Sequence, residues 1–143
     1  MLELTKICKT LKIKPPKVVC TSDTKKFDTA TTIAVSDIKS YTIFLNNNFL
    51  PKTNFDEIFT IAHECRHFWQ FKNNKFNFDA HLQSNNASKT IYNNQPEELD
   101  AHAFACAYIM KNFHVMPLFN GFDEKIKDSI LIEAKKIILK EFL

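Results

Sequence analysis

The chain has 143 residues, 45% hydrophobic and 24% charged, a balance that excludes a disordered segment and fits one globular domain over 1–143. A net charge of +3, with a single Arg and scattered Lys, is too weak to point to a nucleic-acid partner. Cys8, Cys20, Cys65 and Cys106 form no CxxC pair, and neither a signal peptide nor a membrane-length apolar run is present, so free thiols in a reducing cytoplasm are expected.

Residues 2–13 place Leu2, Leu4, Ile7, Cys8 and Leu11 at helical spacing, and Pro15-Pro16 ends the run. Three strand-like stretches follow, KVVCT (17–21), TATTIAVSD (29–37) and YTIFLN (41–46), with a link between the last two short enough for a hairpin. A helix of about 18 residues then opens after Pro51, with Asn54 as N-cap and Asp56 and Glu57 in its first turn. Its apolar residues, from Phe55 to Trp69, cover most of the circumference, as in a buried helix. Residues 73–95 are polar, Asn-rich and aperiodic, a loop length that marks a mobile or functional segment. Pro96 starts the helix PEELDAHAFACAYIMK, and a turn around Gly121 leads to a last amphipathic helix over 124–142. Gly121 is the only glycine, so the recurrent Asn pairs are expected to occupy the left-handed turn positions.

Inside the buried helix, His63, Glu64 and His67 form a His-Glu-x-x-His pattern. Histidines four apart lie about 40° from each other around a helix, so both rings can reach one metal ion. The intervening glutamate sits close enough to take a proton from a water on that ion without ligating it. Burying two histidines and a glutamate without such a purpose is costly.

A catalytic zinc site needs a third protein ligand and an open position. On the next helix Glu98 and His102 share a face, whereas Asp100 points roughly 160–200° away. Glu98 is therefore the expected third ligand. His102 is expected as an outer partner or a substitute ligand, the role for which Asp100 is the other nearby candidate. Glu97 reads as a solvated first-turn acid. Arg66 is expected to pair with an acid such as Asp100, Cys65 to lie in the core, and Cys106 to be a buried inert thiol.

HECRH followed by EELDAHAFA resembles the ImmA/IrrE-like group and related phage-type zincin metallopeptidases, which join HExxH to a helix of the form E-x-x-A-[ND]-x-F-A. The matching positions are Glu98, Ala101, His102, Phe104 and Ala105, with His102 where Asn or Asp is usual. The resemblance implies an α+β, zincin-like fold. A small three-stranded, mainly antiparallel sheet would pack on the HExxH helix, beside a second ligand-bearing helix and the C-terminal amphipathic helix. It also implies a Zn²⁺ cofactor held by His63, His67 and Glu98, with Glu64 as general base and acid. In zincins an edge strand pairs with the extended substrate, and YTIFLN is the natural candidate for it.

Turnover also needs a donor for the oxyanion. Tyr92 is the first choice, ahead of His81 and His114; Tyr92 and His81 stand on the long loop between the ligand helices. The expected function is a zinc-dependent metallopeptidase acting on a peptide or protein, with a regulatory protein suggested by the resemblance. The alternatives are a non-proteolytic zincin-fold module that sequesters a protein partner and, more weakly, a hydrolase of a non-peptide amide. No helix-turn-helix pattern is visible, and neither nucleic acid nor membrane is an expected partner. A monomer is expected, with a dimer through the C-terminal helix as the alternative.

Overall fold

The computed structural model describes residues 2–83, 88–117 and 122–142. Helix α1 (Leu2–Leu11) buries Leu4, Ile7, Cys8 and Leu11 and stops where Lys12 turns left-handed, with φ 56°. Strand β1 (Lys17–Thr21) and a single 3₁₀ turn (Thr24–Lys26) follow, then β2 (Ala34–Asp37) and β3 (Thr42–Asn46). β2 is shorter than the β-branched run 29–37 that announced it. Thr29 donates its backbone N–H to Thr32 Oγ1 at 3.2 Å, and the two hydroxyls lie 2.9 Å apart, so local side-chain bonds replace a ladder there.

The strand order is β1-β3-β2. β2 and β3 form the expected antiparallel hairpin, with Ala34 opposite Leu45 and Asp37 opposite Thr42. β1 lies parallel to β3, Lys17 opposite Thr42, so the sheet is mixed and not mainly antiparallel. The chain leaves β1, crosses to the far position for β2, and the hairpin return inserts β3 between them. β3 suits the centre because Thr42, Ile43, Leu45 and Asn46 are all buried, whereas β1 is largely exposed. This corrects the expectation that 41–46 pairs with a substrate: both edges of β3 are taken. β2 has no strand on its outer edge among the described residues.

Helix α2 (Asn54–Lys72) is capped by Thr53, not Asn54: Thr53 Oγ1 accepts the Asp56 N–H at 3.1 Å. Ile58, Ile61, Ala62, Cys65 and Phe68 enter the core, as the all-round apolar pattern requires. Helix α3 (Lys89–Asn93) interrupts the long polar segment, and α4 (Pro96–Phe113) packs along α2 with its proline in the first turn. Helix α5 (Glu124–Glu141) begins with Asp123 Oδ1 accepting the Ile126 N–H at 2.9 Å and lays Ile126, Ile130, Ala134 and Ile137 into the same core. The turn around Gly121 lies outside the described residues. Among those described, left-handed non-glycine positions fall to Lys12, Tyr41, Asn74 and His114, so asparagine supplies only one of them. No helix of the described residues is long and apolar enough to cross a membrane.

Candidate metal centre

Two turns of α2 and the first turn of α4 face each other and bring His63, His67 and Glu98 together, all buried. His63 Nε2 lies 3.1 Å from His67 Nε2 and 3.2 Å from Glu98 Oε1, and His67 Nε2 lies 3.1 Å from Glu98 Oε2. The two Glu98 distances end on different oxygens; with one donor atom taken from each residue, the corners of the triangle all lie within 4.8 Å of one another, close enough for one small divalent metal to gather them. His67 Nδ1 donates to Gln70 Oε1 at 2.9 Å. Gln70 Nε2 in turn donates to Glu97 O and Asp100 Oδ2, both at 2.8 Å, which fixes the amide and leaves the His67 Nε2 lone pair aimed at the triangle.

The electrostatics ask for a cation. Burial disfavours a charge on His67, yet the Glu98 carboxylate beside it lifts its pKa to about 10. Burial likewise works against ionised Glu98, but the charge of His67 and hydrogen bonds from both histidines hold its carboxyl well below the ordinary range. A buried carboxylate facing two imidazoles is stable only with a positive charge among them. A proton or a metal ion can supply it.

The remaining expected residues surround this group. Glu64 Oε1 is 3.8 Å from His63 Nε2, and Ser36 Oγ on the edge strand donates to the other carboxylate oxygen, Oε2, at 2.5 Å. Tyr92, on α3, is hydrogen-bonded through its hydroxyl to Glu98. Burial first, then the Glu98 and Glu64 charges, raises its pKa far above that of a free phenol. His102 does not join the triangle: its Nε2 faces Asn93 Oδ1 at 3.1 Å and its ring packs 4.3 Å from that of His63. Burial, then the charge of His63, holds the His102 pKa well below its usual value. Asp100 lies behind the triangle, bound to Arg66 and Gln70, so it acts on His67 only through Gln70. His114 is exposed at the end of α4 and lines no part of the cleft.

Glu97, read as a solvated acid, is buried. Its carboxylate accepts the Asn77 N–H at 3.1 Å and pairs with His81 Nδ1 at 3.4 Å, tying the long loop to α4. His81 Nε2 then stands 3.7 Å from Glu98 Oε2. Cys65 faces Cys8 in the core at 3.9 Å between sulfurs, away from the histidines, and Cys106 is buried, its thiol donating to Met110 Sδ at 3.5 Å. The sequence reading missed Ser36 and Gln70. Gln70 carried a signal, because three residues after His67 it shares that histidine's helix face; Ser36 carried none.

The triangle opens onto a cleft of about 830 Å³ between β2, the N-terminal half of α2, α3 and the start of α4. Residues 16–136 match the model of the peptidase M78 family, described as the IrrE N-terminal-like domain. The chain belongs to that family. Membership supports metallopeptidase chemistry on a protein substrate, and the α+β architecture agrees with it. No curated relative and no solved structure matches this M78-family chain.

Proposed function

We propose that this M78-family protein hydrolyses peptide bonds with a zinc ion held by His63, His67 and Glu98. The observation that carries the reading is the buried group of His63, His67 and Glu98 donors with the Glu64 carboxylate beside it, facing a cleft along the outer edge of β2, which has no strand partner among the described residues. Two imidazoles and one carboxylate suit zinc, and they leave room for a fourth ligand. When bound, zinc would polarise the scissile carbonyl and make the attacking water more acidic.

The chain's own residues do the rest. Glu64 accepts the water proton on a carboxylate oxygen and delivers it to the leaving amine nitrogen. Ser36 holds that carboxylate from the far side at 2.5 Å and so restricts its rotation. The Tyr92 hydroxyl, on the wall opposite β2, turns from Glu98 to the developing oxyanion and donates to it. The outer edge of β2 pairs with the extended substrate.

The test is zinc content together with cleavage of protein or peptide substrates by the wild type and by Glu64→Gln. The variant is expected to keep its zinc and lose at least about a hundredfold in turnover. Equal cleavage by the two proteins would falsify the assignment.

A further inference from the structure

The cleft is not uniform along β2. Its lining toward Ala34 includes Phe49, Leu50, Phe55, Phe59 and Phe122, and Phe49, Leu50 and Phe55 are exposed. Charges there balance, with Lys52 and Lys89 against Asp28 and Asp56. A second hollow opens at the other end of the same strand, past Ser36, around Asp37 and the exposed aromatic pair Phe71 and Phe78. It is ringed by Lys25, Lys26 and Lys39, all exposed and without an ion-pair partner among the described residues. Asp37 is the one acid lining it among the described residues. Both ends thus have aromatic walls, and they differ in charge: the Ala34 end is balanced, the Asp37 end cationic.

A peptide lying on β2 spans both ends, since Ala34 and Asp37 are three residues apart, about 10 Å of strand. Ser36, bonded to Glu64, marks the position of the reacting bond between them. Antiparallel pairing is the commoner arrangement, and it sets the N-terminal half of the peptide at the Asp37 end. We propose that the peptide this site takes is acidic ahead of the cleaved bond and carries a bulky apolar residue directly after it. The inference rests on the peptidase reading for the place of the bond, but the recognition is a matter of binding and is measured without turnover. The lysines attract the acidic segment and fix its direction, while the aromatic wall removes the apolar side chain from water.

The experiment uses the full chain with Glu64→Gln, loaded with zinc, and short fluorescein-labelled peptides read by anisotropy. One peptide places Asp and Glu before a Gly-Phe step, a second has Lys in place of the acids, and a third puts the acids after the step. The first is expected to bind about tenfold tighter than the other two, and the preference is expected to shrink in high salt. Lys25→Glu, Lys26→Glu and Lys39→Glu together change only exposed side chains and are expected to invert the choice between the first two peptides. Equal affinity for all three peptides, binding of none, or a preference that survives the charge reversal would overturn the proposal. Discrimination that persists while the wild type cleaves none of them supports the recognition and counts against the peptidase reading alone.

Discussion

Helix α2 carries two buried polar clusters, and they are built on opposite principles. On one side Arg66, 2% exposed, donates from Nε and Nη2 to Asp100 and from Nη1 and Nη2 to Glu141, all at 2.8–3.0 Å, with its guanidinium 3.6 Å from the Trp69 ring. That cluster contains its own cation and closes on itself, joining α2 to α4 and to the end of α5. On the other side His63, His67 and Glu98 point acceptors at a common centre and include no permanent cation. The two share one bridge, because Gln70 bonds both Asp100 and His67. A closed cluster holds the helices together, whereas one that lacks its charge is a site for something that brings it.

The difference can be broken from either side. The largest effect is expected from metal removal: with zinc at a thousandfold over its Kd, chelation should lower unfolding free energy by about 4 kcal/mol, measured by denaturant titration. The sign with pH follows from the lifted His67 and the depressed Glu98. Without metal, the His67 contribution is complete below its ordinary pKa of 6.5 and disappears as pH rises through about 10. The Glu98 contribution is present above its ordinary 4.5 and disappears on acidification below that. Reloading zinc at neutral pH should therefore displace about one proton, read by calorimetry in buffers of different ionisation heat. A chelator-insensitive melting curve with no proton release would refute a metal at this cluster.

Arg66→Met tests the closed side. It leaves Asp100 and Glu141 without their cation and should cost about 3 kcal/mol in the metal-free protein. A loss under about 1 kcal/mol would mean that the arginine is dispensable for stability. The smallest effect concerns the bridge: Gln70→Leu removes the acceptor that orients His67, and zinc affinity should fall about tenfold or more. Unchanged affinity in a competition assay with a chelating dye would show that the two clusters are independent.

Much of this was legible before any coordinates. The shared faces of His63 with His67 and of Glu98 with His102 follow from helix geometry alone, and the four long helices were legible from their apolar residues and start signals, whereas the short α3 fell in a stretch read as an aperiodic loop. The errors fall where non-local contacts decide. TIFLN reads as a strand, but its place at the centre of the sheet depends on where β1 returns, 20 or more residues away in the chain. Glu97 sits in a helix's first turn, where an acid is favoured in solvent, yet the loop bearing Asn77 and His81 folds over it. Thr53 and Asn54 are both competent caps, and only the backbone path selects between them.

Local chemistry thus marked the four long helices, the metal-competent trio and the glutamate beside it, because residues a turn apart must share a face. The assembled molecule was needed to show that β2 has no outer strand partner among the described residues, that Ser36 reaches Glu64, and that His102 packs against His63 and stays out of the triangle. Those relations join residues 28 to 39 positions apart, and no periodicity in a chain encodes the direction from which a distant segment arrives.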